Sequence, residues 1–109
     1  MALIRVTGKA SFKDKKILGN KLHGAICAAI GLDESDPRQY SLELPENYAG
    51  EYHHYIVVMC DSTPERQAEK ENMSKQILAA AKELAREINS ALTAKVGVWL
   101  VLFDAAWSD

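Results

Sequence analysis

Residues 2–7 alternate, with Ala2, Ile4 and Val6 on one side and Leu3, Arg5 and Thr7 on the other, the period-two pattern of a strand. Gly8 breaks it. Ser11 then precedes a helical stripe of Leu18, Leu22, Ala25, Ile26 and Ala29. Ser11 with Asp14 three residues on resembles a capping box. Gly31 suits a left-handed helix end, so the spacing predicts a first helix over about 12–30. A charged connector covers 32–37. Tyr40–Leu44 alternates again, with Tyr40, Leu42 and Leu44 opposite Ser41 and Glu43. The stretch 45–51 holds Pro45, Asn47 and Gly50 and reads as a loop. His54–Cys60 is a third strand. Thr63 and Pro64 read as the cap and first position of a second helix. Its stripe is Met73, Ile77, Ala81, Leu84, Ala85, Ile88 and Leu92. Val96–Phe103 is a fourth strand, and a short tail carries Trp107.

The order is strand–helix–strand, twice. It predicts an α+β fold of two consecutive β-α-β units, about 1–44 and 53–104, in one domain spanning 1–109. Crossovers of this kind are right-handed, so both helices are expected on one face of the sheet. The other face then has no cover from within the chain. Yet the third strand sets Tyr55, Val57 and Met59 against Ile56, Val58 and Cys60. The fourth sets Val96, Val98, Leu100 and Leu102 against Trp99, Val101 and Phe103. Strands apolar on both faces are covered on both. Each large side chain gains about 1.5–3 kcal/mol by full burial. Packing of sheet against sheet between copies is the expected solution.

Composition narrows the function. The 109 residues carry a formal charge of −2, with acids and bases interleaved, which removes the basic surface a nucleic-acid partner needs. No apolar run reaches the ~20 residues of a membrane helix. The opening Met-Ala-Leu-Ile-Arg lacks the charged and apolar regions of a secretory leader. Cys27 and Cys60 therefore read as reduced core thiols, and a cytoplasmic location is the expectation. His53 and His54 are adjacent on a strand and are expected to point to opposite faces. With His23 they form no metal-ligand spacing, so neither a metal nor a cofactor is expected.

Three segments resemble a known family. Met1-Ala2-Leu3-Ile4-Arg5-Val6 resembles the opening of its small bacterial members, which read Met-Pro-x-Leu/Ile-Arg. Pro37 through Leu44 resembles the approach to the second strand of macrophage migration inhibitory factor and its relatives. Val98 through Asp104, followed by Trp107, resembles their last strand and tail. The family is the tautomerase superfamily, which also includes 4-oxalocrotonate tautomerase. The resemblance implies a homotrimer, sheets around a central core, and keto–enol chemistry on a small acidic or enolic ligand such as a 2-oxo acid. It also implies that the base is an N-terminal proline, exposed by removal of the initiator methionine. A secondary amine in an apolar pocket is neutral at working pH and so can accept a proton.

The sequence departs from the family at that point, because position 2 is alanine. If Met1 is retained, the nitrogen of Ala2 is an amide and has no basicity. The amine of Met1 then stands about 3.8 Å of chain further out. Met1 and Ala2 thus mark the catalytic position without supplying its base. Arg5, Arg38 and Trp99 are the expected ligand-binding residues. Each also has a plainer reading: an ion pair for Arg5, solvent for Arg38, core or interface packing for Trp99. Trp99 falls where a relative has a tyrosine, and indole donates a hydrogen bond without serving as acid or base. Val101 falls where that relative has asparagine. Tyr48 and Tyr52 flank Gly50, placed to close over a pocket or to cover the sheet edge. The polar run from Pro64 to Asn72 lengthens the second helix, either as a solvated face or as a lid with Arg66 reaching a carboxylate. An altered or inactive isomerase is the leading reading. A ferredoxin-like dimeric α+β barrel, as in small oxygenases and ligand binders, shares the element order. A non-catalytic assembly protein is a third possibility. Pairing separates the first two: the first strand beside the second marks the tautomerase-like arrangement, beside the third the ferredoxin-like one.

Overall fold

The computed structural model describes residues 2–33, 35, 40–45, 48, 50–89 and 95–104, with the side chain of Tyr40 excepted. The elements are β1 (Ala2–Thr7), α1 (Phe12–Ile30), β2 (Tyr40–Glu43), β3 (His54–Asp61), α2 (Pro64–Ile88) and β4 (Val96–Phe103). They form one mixed sheet in the order β2-β1-β3-β4. β1 runs parallel to β2 and antiparallel to β3, and β3 runs parallel to β4. β1 therefore pairs with both proposed neighbours, and β2 lies outside β1. A ferredoxin-like sheet would put β2 beside β3, so the order is the tautomerase-like one.

The local signals act as the sequence indicates. Ser11 Oγ accepts from the Asp14 amide at 3.1 Å and starts α1. Gly31 adopts φ +76° at its end, and its amide and that of Leu32 both reach the Cys27 carbonyl. Thr63 Oγ1 accepts from the Arg66 amide at 3.1 Å and starts α2, with Pro64 in the first turn. Two boundaries differ from expectation. β3 runs on to Asp61, and β2 stops at Glu43, leaving Leu44 beyond it. Leu92 and Trp107 lie outside the described residues.

Both helices pack on the face formed by Ala2, Ile4, Val6, Ile56, Val58, Cys60 and Leu100. The buried line of α1 is Leu18, Leu22, Ile26 and Ile30, with Gly19 and Cys27 beside it. Ala25 and Ala29 fall to its edge. A Cβ on Gly19 would come within 2.9 Å of Leu42, so the missing side chain lets α1 sit close to β2. From α2, Met73, Ile77, Ala81 and Ala85 enter the core at four-residue spacing. Among the described residues, no helix lies on the opposite face of the sheet. There Trp99 is 58% exposed and Phe103 39%. Among the described residues, β4 is thus covered on one side only, and Trp99 is no part of the core.

Gly8 pins the far end of the sheet. Its φ is +123°, and a Cβ would lie 2.2 Å from the His53 carbonyl oxygen. Gly8→Ala is expected to cost about 2–3 kcal/mol through backbone strain and this clash, read as a lower urea midpoint with unchanged slope.

Candidate functional site

The start of β1 meets the ends of β3 and β4 where α1 finishes and α2 begins. Ala2 stands opposite Tyr40 on one side and Cys60 on the other. Ala2 and Cys60 are both fully buried on the helix side. Asp61 follows, opposite Phe103, and the Ser62 amide donates to the Phe103 carbonyl at 2.7 Å.

Arg66 ties this end together. The cap at Thr63 places residue 66 in the first turn of α2, so its side chain reaches back over the strand end. Nε donates to the Ile30 carbonyl at 3.1 Å. Nη1 donates to the Asp61 carbonyl at 3.0 Å and to Asp61 Oδ1 at 3.1 Å. The guanidinium thus joins the last residue of α1 to the last residue of β3. It is a brace here, and no lid: the polar run from Pro64 is regular helix, with Lys75 and Glu71 paired at 3.1 Å one turn apart.

The electrostatics follow from these contacts. Partial burial pushes the Asp61 carboxyl upward, but a backbone hydrogen bond, the Arg66 guanidinium and the positive charge of the N-terminus together outweigh it and hold the group below the usual carboxylate range. Burial pushes the Cys60 thiol up, so it remains a thiol and no nucleophile. The carboxylate–guanidinium pair contributes stability above the ordinary Asp range and loses it as acid protonates Asp61. The Arg66 side chain is 14% exposed, so its hydrogen bonds are largely shielded from water. Arg66→Met is expected to lower stability by about 2 kcal/mol at neutral pH. The loss should shrink in a urea titration as acid protonates Asp61, below the ordinary Asp range.

A cavity of about 410 Å³ opens between the two helices beside this brace, with Ile30, Gly31 and Met73 as its apolar part and Arg66, Glu65 and Glu69 on its rim. A second, shallower groove of about 590 Å³ runs along β4 and is lined by Tyr52, Tyr55, Gly97 and Trp99. The rings of Tyr52 and Tyr55 lie 5.2 Å apart, and a Cβ on Gly97 would come within 2.9 Å of both. That glycine lets the two tyrosines rest directly on the strand.

Among the described residues, Ala2, Arg5 and Trp99 do not converge within one chain. Arg5 projects from the helix-free face and pairs with Glu43 directly across the β1–β2 ladder, Nη2 to Oε2 at 2.9 Å. Trp99 stands opposite Val57, two strands over from β1 and three positions from the residue level with Ala2. Strand spacing and rise put it about 14 Å from Ala2. Met1 and Arg38 lie outside the described residues. His53 and His54 are in edge-to-face contact with ring centres 4.8 Å apart, although their positions suggested opposite directions. Among the described residues, no three His, Cys, Asp or Glu side chains gather as metal ligands, and no helix is long and apolar enough to cross a membrane. Sequence reasoning missed the Asp61–Arg66 brace. Its one available signal was the Thr63-Pro64 cap, which fixes where residue 66 must project.

No protein-family model matches the sequence. No curated protein matches it either. Solved structures do match across nearly the whole chain. A protein of unknown function from Vibrio cholerae superposes with a TM-score of 0.70 at 12% identity, covering 99% of this chain and 84% of the other. Wild-type fused 4-OT, solved as an asymmetric trimer, gives 0.63 at 15% identity over 94% and 86%. Pt0534 inactivated by 2-oxo-3-pentynoate gives 0.57 at 22% identity over 94% and 85%. The chain has the tautomerase-superfamily fold.

Proposed function

We propose that this chain is a tautomerase-superfamily protein that binds a small 2-oxo acid or its enol and isomerises it weakly or not at all. The observation that carries the reading is Ala2, buried at the head of β1 where the family's pattern places its proline. Similarity to a protein inactivated by 2-oxo-3-pentynoate supports the ligand class.

Keto–enol conversion moves one proton from the carbon beside a carbonyl to the carbonyl oxygen. It needs a base near neutral pKa and a pocket that holds the anion. Alanine provides no such base, whatever happens to Met1, beyond an ordinary primary amine of pKa about 7.7–8.0. Met1 and Ala2 mark the catalytic position. Arg5, Arg38 and Trp99 are the ligand-binding side chains of the proposal. Arg5 and Trp99 project from the helix-free face, so they meet a ligand near position 2 only if a second copy brings them there. The apolar rows on that face, half-buried Leu3–Met59–Val101 and Val57 beside exposed Trp99, support a homotrimer closing around them. Similarity to fused 4-OT, solved as a trimer, supports the same number.

The unmodified protein, assayed with phenylpyruvate enol and 2-hydroxymuconate, should give rates close to buffer, while phenylpyruvate raises its melting temperature. Rapid turnover would show that another group is the base. No thermal shift at millimolar phenylpyruvate would remove the ligand class.

A further inference from the structure

We infer that the start of β3 is an acid-sensitive latch: a buried imidazole pair that, on taking up a proton, releases Tyr52 and removes one wall of the groove along β4. The latch stands on geometry at the end of the sheet remote from Ala2. His54 is 1% exposed and its Nδ1 has no hydrogen-bond partner. His53 lies edge-on against it and presents a buried Nε2 that is also unpartnered. An orphaned buried nitrogen has nothing to stabilise a proton placed on it.

The surrounding charges sharpen the effect. Lys15, on α1, is only 4% exposed, and its ammonium has one long contact, to the Pro45 carbonyl at 3.4 Å. Asp14 on α1 is the anion acting on His54, and Lys95 at the head of β4 is engaged outside by Glu51 at 3.2 Å. Burial first, then His53, hold His54 down at about 4 from its ordinary 6.5; Asp14 works the other way and Lys15 adds to the depression. A second cation beside Lys15 is therefore resisted while the segment stays docked.

The same residues hold the tyrosines. The His53 carbonyl accepts from the Ala10 amide at 3.0 Å, and the His53 amide donates to the Lys95 carbonyl at 2.9 Å. The Tyr52 carbonyl accepts from the Lys9 amide at 3.0 Å. The Tyr52 amide donates to Tyr48 Oη at 3.1 Å, and both rings rest on Tyr55. Freeing His54 to take a proton breaks this short series of contacts. The rest of β3 keeps Ile56 and Val58 in the core.

The sign is fixed by linkage. The folded state disfavours the proton, so the latch is at full strength above pH 6.5, weakens as pH falls toward 4, and changes no further from this group below that. Between pH 7 and 5 the opening equilibrium should rise about 20-fold.

Amide hydrogen exchange on the intact protein, corrected for intrinsic rates, reads this directly. The expected result is a 20-fold rise in opening at Lys9, Ala10 and His53 between pH 7 and 5, with Ile4 and Val58 unchanged. His54→Leu should abolish the pH dependence. An equal rise at Ile4 and Val58 would mean general acid unfolding and would overturn the latch, as would an unchanged response in His54→Leu. Should that variant fail to fold, the imidazole resonances of the unmodified protein decide: His54 titrating above pH 6 contradicts the proposal, and titration near 4 supports it.

Discussion

Ala2→Pro, in protein shown by mass spectrometry to have lost Met1, is expected to raise ketonisation of phenylpyruvate enol by about 10²-fold or more over the unmodified chain. The substitution restores a secondary amine at the first residue of β1. Proline is tolerated at the first position of a strand, where its missing N–H disturbs the ladder least. The site of Ala2 is fully buried beside Cys60. Burial disfavours the charged ammonium, which leaves the amine neutral and able to accept a proton. The gain should vanish when Met1 is retained, because the proline nitrogen is then an amide. Folded Ala2→Pro protein that stays inert, with Met1 absent, would mean that the pocket has diverged along with the base. A binding or structural role would then be the better reading.

Trp99→Asp should convert the assembled protein to folded monomer, with Phe103→Asp acting in the same direction. The exposure of both rings in the single chain makes this a clean test. Neither contributes to the core formed by Ile4, Ile56, Val58 and Leu100, so the far-ultraviolet spectrum should hardly change. In an assembly the same positions lose contact with water. A carboxylate placed there without a partner costs several kcal/mol at each copy of the interface. The expected readout is loss of the large species in size exclusion with retained ellipticity. Assembly that survives both substitutions would put the interface elsewhere.

The fold was legible because its signals are local. Ser11, Gly31, Thr63 and Pro64 each act within one turn of where they stand, and the bounds of α1 and β4 follow from them and from hydrophobic period. The uncovered face was legible too, since alternation in β3 and β4 assigns Val57, Met59, Trp99 and Val101 to one side. What alternation could not give is the state of that side. An apolar run says that a face needs cover, and the exposure of Trp99 shows that the described residues do not supply it. The alternation of β1 placed Ala2 at the head of the sheet, and its role there rests on the family resemblance alone. The Arg66–Asp61–Ile30 brace joins two helices and a strand: the Thr63-Pro64 cap fixes where residue 66 projects, but the sequence does not say what it meets. The His54–Lys15 cluster was hidden for the same reason. A lysine at the head of α1 reads as solvent-facing, yet the loop at Pro45 closes over it. Arg5 had two readings, and its pairing with Glu43 depends on the register of two parallel strands joined through α1.

The account turns on whether the helix-free face is shared between copies, because Arg5 and Trp99 reach position 2 only in that way. Sedimentation equilibrium of the unmodified protein at micromolar concentration tests this most directly. The expected result is a single species of three times the 12.1 kDa chain. A monodisperse monomer would contradict it outright, and a stable dimer would contradict it in favour of two sheets closing as an α+β barrel.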